Sequence, residues 1–378
     1  MAPMLPAPRG DIPSLADVLT GSFSALQGRP SRLELPAVRS AAVILVDGLG
    51  MGSLSVNSGH ARRLLAAIPR RGGVIESAFP TTTAAALATL TTGASAGEHG
   101  LVGYRSVDPD ADRVVALLRD WDATMVPRQW QRRDTVFEAA ARAGIDPVVV
   151  GAERYRSTGF TEAVLRGARF TPAGSITERV ETAIRLLDGG ESRLVYAYIP
   201  ELDMAGHSHG VDSDAWRARL DELDAALAVL DSAVPRDAGV LLTADHGMLD
   251  VPAHRRIVIA AESPVWAEVR HVAGEPRCLH LGLENPSAAV RVRDRWRDAE
   301  GERAWVVTRD EAIGAGWFGV VEPHVLPRIG DVLVAARAAV AYYDERSATS
   351  QSLAMVGQHG SFSPDETRIP LARWGAFA

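Results

Sequence analysis

The sequence predicts an α/β fold: a mostly parallel central sheet with helices on both faces, and a smaller inserted α+β subdomain. Three observations carry this expectation. Apolar runs of strand length alternate with amphipathic stretches, three of those runs end directly in carboxylates and histidines, and the texture shifts to short alternating segments after about residue 253.

The strand-like runs are residues 41–46, 148–150, 195–199 and 240–243. Helical patterns lie at 83–92, 134–143, 175–187 and 215–232, the last with Trp216, Leu220, Leu223, Leu227 and Leu230 near a 3.6-residue spacing. Alternating segments follow at 278–283, 289–292, 305–307 and 331–334. The expected organisation is therefore a core of residues 1–252 and 347–378 with an inserted α+β subdomain at 253–346. The last segment, Gly357-Gln358-His359-Gly360, returns to the main sheet.

Composition removes several function classes. With 47% hydrophobic and 23% charged residues the chain is an ordinary globular one. A net charge of -7 argues against a nucleic-acid-coating surface, which needs clustered positive charge. Every basic residue other than histidine is arginine, so a P-loop lysine, a Schiff-base lysine and a kinase strand lysine are all excluded. The single cysteine, Cys278, rules out cysteine-rich zinc sites and an internal disulfide. The proline-broken start lacks a leader pattern, and no run of eighteen apolar residues occurs. A cytoplasmic protein without a membrane span is expected.

In open α/β sheets, ligands bind beyond the carboxyl ends of the strands. Residues 41–46 run into Asp47, residues 195–199 are followed by Asp203 and His207, and residues 240–243 by Asp245 and His246. An acidic residue in such a place is also a good helix cap, but the set is harder to explain that way. Asp203 and His207, four apart, aim at one point, and His359 lies between Gly357 and Gly360. Oxygen and imidazole donors without thiolates suit Zn²⁺, and also Mn²⁺ or Fe. Six candidates are too many for one tetrahedral ion and divide into two sets of three, the arrangement that clamps both oxygens of an in-line phosphoryl displacement.

A hydroxyl at a helix start would complete such a site, because free N–H groups and the helix dipole favour the phosphate it attacks. Thr81, Thr82 and Thr83 follow Pro80 where an alanine-rich helix begins. Thr89, Thr91 and Thr92 lie farther along, where back-bonding or packing is expected.

The ordered set Asp47-Gly-Leu-Gly, Phe79-Pro-Thr-Thr-Thr83 with Gly93 ten residues on, Glu98-His99-Gly100-Leu101, Asp203-x-x-Gly206-His207-x-x-Gly210, Ala244-Asp245-His246-Gly247 and Gly357-x-His359-Gly360 resembles the nucleotide pyrophosphatase/phosphodiesterase family of the alkaline phosphatase superfamily. The resemblance implies an alkaline phosphatase-like core and a metal-dependent phosphodiester hydrolase. Its expected cofactors are two divalent ions, usually zinc, and its intermediate is a threonyl-phosphate. It selects Thr83 as nucleophile, gives one ion Asp203, His207 and His359, and gives the other Asp47, Asp245, His246 and the Thr83 oxygen. It assigns no metal role to His209, and a structural role to His99.

Two departures qualify the substrate, expected to be a small phosphodiester or nucleotide. Ala84 stands where many members place a base-stacking aromatic, and Tyr104 lies near where many have an asparagine that binds a phosphate oxygen. Tyr104 is the expected phosphate contact, and Trp121, Trp130, Tyr155 and Phe160 fall in the segment expected to form the leaving-group pocket. The alternatives are a phosphomonoesterase or phosphonate-bond hydrolase and, from a different class, a non-catalytic metal-binding relative. No Cys/Ser-x-Pro-x-Arg segment supports a sulfatase.

Overall fold

A computed structural model describes residues 5–378. The central sheet has seven strands in the order Val74–Glu76, Arg368–Gly375, Ala238–Thr243, Ser40–Val46, Arg193–Ile199, Asp146–Gly151, Arg169–Pro172. The last five run parallel to one another. Arg368–Gly375 runs antiparallel to both its neighbours and brings the chain back to this sheet after His359. Every residue of Ser40–Val46 is buried, as a central strand covered on both faces requires. Helices Ala16–Leu26 and Ile176–Leu187 supply that cover, packing on the same two central strands from opposite faces.

The helix at Thr83–Thr92 is buried along nearly its whole length, which accounts for its run of small residues. Thr91 and Thr92 donate back to the carbonyls of Leu87 (2.9 Å) and Ala88 (2.6 Å). Thr89 instead meets His99 Nε2 at 3.0 Å. Since His99 Nδ1 accepts from the Leu101 N–H at 3.2 Å, the ring is a neutral strut between helix and loop.

A second sheet of six antiparallel strands runs Ala304–Thr308, Val332–Ala336, Cys278–Leu283, Val269–Glu275, Arg105–Asp108, Arg113–Ala116. Its last two strands come from the hairpin at 105–116, far upstream of residues 253–346 in the chain. Residues 289–292, which alternate like a strand, open the helix Ala289–Glu300. Four residues cannot separate a period of 2 from 3.6, and it is Val292, Trp296 and Glu300 that the helix buries.

The two sheets are tied by a fully buried ion pair. Arg277 grips Glu366 with two parallel bonds of 2.7 and 2.8 Å and donates to the carbonyls of Ala338 and Val340. Burial alone would raise the Glu366 carboxyl, but Arg277 holds it below its usual range. Glu366 also accepts the N–H groups of Ser361 (2.8 Å) and Ser363 (3.1 Å), so the chain just past His359 is fixed to the second sheet. No helix among the described residues is long and apolar enough to cross a membrane.

Burial depresses the imidazoles of His99 and His280 to about 3. Both nitrogens of His280 lack a partner, and its ring meets Phe318 edge-on at 5.8 Å. A His free in the unfolded chain protonates near 6.5, so between pH 6.5 and about 3 the unfolded state binds more protons and stability falls as pH falls. Urea unfolding of the His280→Leu variant between about pH 4 and 5.5 should show a pH dependence shallower than wild type by about 1.3 kcal/mol per pH unit. An unchanged slope would contradict the assignment.

Candidate metal centre and active site

The site forms where three parallel strands end. Ser40–Val46 delivers Asp47, and Ala238–Thr243 delivers Asp245 and His246. Arg193–Ile199 leads through Pro200 into the helix Glu201–His209, which carries Asp203 and His207 one turn apart. His359 arrives from the segment before the final strand. The chain approaches itself closely here. A Cβ on Gly48, which has φ +73°, would lie 3.0 Å from the Asp203 backbone, so a side chain at 48 would push the first strand end away from the helix that carries Asp203.

These residues converge. Asp203 Oδ1 is 3.4 Å from His207 Nε2 and 3.8 Å from His359 Nε2. His246 Nε2 lies 3.6 Å from Asp47 Oδ1, 3.4 Å from Asp245 Oδ2 and 3.3 Å from Thr83 Oγ1. The His246 and His359 rings stack with centroids 3.7 Å apart. Two trios bring a donor atom from each member within 4.8 Å of the others: Asp203, His207, His359, and Asp47, Asp203, His246. Asp203 thus borders both. Asp245 flanks the second, its Oδ1 already accepting the N–H groups of Gly48 and His246.

The donor chemistry fits divalent cations. Each histidine uses Nδ1 as a donor to a backbone carbonyl: His207 to Gly357 (2.8 Å), His246 to Gly247 (3.1 Å), His359 to Thr81 (2.7 Å). Every Nε2 therefore offers a lone pair, the orientation that metal-binding imidazoles are given by such outer bonds. Two of these lone pairs, on His207 and His359, face each other at 3.2 Å, which is repulsive unless a cation lies between them. Asp47 Oδ1, Asp203 Oδ1 and Asp245 Oδ2 are buried without hydrogen-bond partners.

Electrostatics records the same crowding. Burial, then Asp245 and Asp203, push the Asp47 carboxyl well above its usual range. Burial also raises Asp245, against the pull of His246. Burial and the neighbouring His246 and His207 hold His359 well below the ordinary imidazole range. Tyr198 donates its hydroxyl to Asp47 Oδ2 and fixes that carboxylate's angle.

Thr83 is the first residue of its helix, after Thr82, which makes no side-chain cap. Uncapped first-turn N–H groups are open to an anion. Thr81 is used differently, donating to the Ser361 carbonyl (2.8 Å) and accepting from the Gly360 N–H (3.1 Å). Thr83 lines a cleft of about 490 Å³ together with Tyr104, Asp203, His207 and His359. Ala84 is buried and does not reach it. Trp121, Trp130, Tyr155 and Phe160 also lie outside its lining, because Trp130 and Phe160 are packed in the main core with Trp121 against them, and Tyr155 meets Tyr198 edge-on. His209 is exposed and outside both trios.

Sequence reasoning missed Tyr198, Glu275 and the Tyr343–Gln358 pair, whose Nε2 to hydroxyl distance is 3.0 Å. Only Tyr198 left a signal, since it shares a strand face with Tyr196 and points at the same strand end as Asp47.

A mostly parallel sheet with a carboxylate and histidine cluster beyond its strand ends defines an alkaline phosphatase-like α/β protein. Residues 41–362 match the model of the type I phosphodiesterase / nucleotide pyrophosphatase family, and the chain belongs to that family. Murine ectonucleotide pyrophosphatase/phosphodiesterase 5, solved as an inactive threonine-to-alanine variant with AMP, is 18% identical, with TM-score 0.66 over 88% of this chain and 87% of that one. The phosphonoacetate hydrolase of Sinorhizobium meliloti, solved with phosphonoformate, is also 18% identical, with TM-score 0.68 over 90% and 91%. Among curated proteins, an uncharacterized pyrophosphatase/phosphodiesterase of Schizosaccharomyces pombe is 23% identical over 47% of this chain and 38% of its own. The phosphopentomutase of Deinococcus radiodurans is 26% identical over 56% and 46%. The matched parts span less than half the length of these two relatives.

Burial and mutual repulsion raise the Asp47 and Asp245 carboxyls, so a cation binding there competes with protons for the same oxygens. Titrating Zn²⁺ into chelator-stripped protein at pH 7 should release protons, seen as a binding enthalpy that changes with the ionisation enthalpy of the buffer. Identical enthalpies in two such buffers would refute this.

Proposed function

We propose that the chain is a metal-dependent hydrolase of phosphodiesters or phosphoanhydrides that works through a phosphorylated Thr83. The observation that carries the reading is the placement of Thr83 Oγ1. It sits at an uncapped helix start, 3.3 Å from His246 Nε2 and lining the same cleft as Asp203, His207 and His359. The family, and the inactive threonine-to-alanine form of the murine relative, support it.

Asp203, His207 and His359 would hold one divalent ion, and Asp47 and Asp245, 3.6 and 3.4 Å from His246 Nε2, would with His246 hold a second that Asp203 also borders, most simply Zn²⁺, supplying positive charge to the attacking and leaving oxygens. The Thr83 hydroxyl gives up its proton to solvent as Oγ attacks phosphorus; a P–O bond forms, the bond to the leaving oxygen breaks, and that oxygen takes a proton from solvent. Water then attacks the phosphothreonine, which returns the Thr83 hydroxyl and releases the phosphate product. The first-turn N–H groups of the Thr83 helix hold a nonbridging oxygen, and the Tyr104 hydroxyl donates to another. Tyr198 keeps Asp47 oriented, and the three backbone carbonyls keep each Nε2 aimed at the centre. Most of the work is positioning and charge neutralisation.

The Thr83→Ala variant should lose turnover of bis(p-nitrophenyl) phosphate by about three orders of magnitude or more while keeping its metal content. Full activity in that variant would remove Thr83 from the mechanism.

A further inference from the structure

The cleft carries positive charge that the reaction scheme does not use. One wall is formed by Tyr104, Arg105, Leu118 and Arg119, at the edge of the hairpin Arg105–Asp108 and Arg113–Ala116. The wall is held firmly: the Leu117 N–H donates to the Tyr104 carbonyl (2.9 Å), and the Tyr104 N–H donates to Glu275 Oε2 (2.9 Å). Arg105 is half-buried and spends one nitrogen on the Val272 carbonyl at 2.9 Å. Arg119 is exposed, with its guanidinium carbon 6.0 Å from the centre of the Tyr104 ring.

Among the described residues neither guanidinium has a carboxylate partner, whereas Arg113 on the same hairpin pairs with both Asp108 and Asp122. The acids lining the cleft do not neutralise them. Asp344 is engaged by Arg346 at 2.7 and 2.8 Å. Glu275 is buried, and burial pushes its carboxyl up to about 8, so it is largely uncharged in neutral solution. Asp203 belongs to the metal centre. A cleft with two uncompensated guanidiniums, in a chain of net charge -7, is a local reversal of sign. Guanidinium pairs with carboxylate and phosphate through parallel N–H bonds, while a neutral substituent would desolvate the charges without replacing their water.

We propose that the substrate carries, on the substituent lying against this wall, a second anionic group, a carboxylate or a further phosphate, bound by Arg105 and Arg119. The inference rests on the reading of Thr83 as the attacking residue at this cleft.

The test uses p-nitrophenyl phosphodiesters whose second ester group is a neutral alkyl chain, the same chain ending in carboxylate, or the same chain ending in phosphate. The zinc-loaded wild-type protein should show kcat/KM at least about tenfold higher for an anionic ester, and the better of the two anions identifies the class. Arg105→Gln and Arg119→Gln should each lose about tenfold on that ester, mainly through KM, and stay within about twofold on the neutral one. Equal use of neutral and anionic esters by wild type, or equal losses on all three in the variants, would overturn the inference. If none is hydrolysed, the functional reading fails by itself. Calorimetric titration of the uncleaved esters then decides the inference: tighter binding of an anionic ester, weakened in both variants, supports it, and equal binding overturns it.

Discussion

The structure depends on an electrostatic conflict at the carboxyl edge of the central sheet. Asp47, Asp203 and Asp245 each place an unpartnered oxygen in a buried space, facing imidazole nitrogens that carry lone pairs because their other nitrogens donate to backbone carbonyls. Like charges in a medium of low polarity repel strongly, and stripping carboxylates of water costs several kcal/mol per ion. The Tyr198 hydroxyl on Asp47 and the Gly48 and His246 N–H groups on Asp245 relieve it only in part, and no arginine pairs with the three acids among the described residues. Positive charge brought in by a bound metal would resolve it, in line with burial and crowding raising the Asp47 and Asp245 carboxyls.

The rest of the fold holds that conflict in place. Central parallel strands buried on both faces fix the positions of Asp47 and Asp245. Gly48 allows the first strand end to touch the helix that carries Asp203. At Gly360, φ +134°, a Cβ would meet Glu275 Cγ at 2.3 Å, so glycine lets the His359 segment lie against the second sheet. The Arg277–Glu366 pair fastens that same segment. Breaking such a buried pair on one side leaves an uncompensated charge, so the link is rigid. The first sheet thus supplies the floor of the cleft and the second its wall.

What was legible in the sequence was local. Asp47, Asp203, His207, Asp245 and His246 stand beside apolar runs long enough to be recognised as strands, and Thr83 stands where Pro80 gives way to an alanine-rich helix. His359 was legible through its motif, not through any nearby strand. What escaped was set by tertiary pairing. The 105–116 hairpin joins the second sheet through the Gly274 and Arg105 contact, and nothing near residue 105 announces a partner so far along the chain. Tyr198 acts on Asp47 only because of the register of two parallel strands. Trp121, Trp130, Tyr155 and Phe160 lie in a segment that suits either a pocket or ordinary packing; Trp130 and Phe160 pack in the core, and Tyr104 and Tyr343 line the cleft.

The central claim is that the cluster is a two-cation centre built around Thr83. Anomalous diffraction from crystals grown with zinc and collected at the zinc edge tests it most directly. The account expects two peaks, one among Asp203, His207 and His359 and one among Asp47, Asp245 and His246 beside Thr83. A single peak, or density only at surface histidines such as His209, would contradict it.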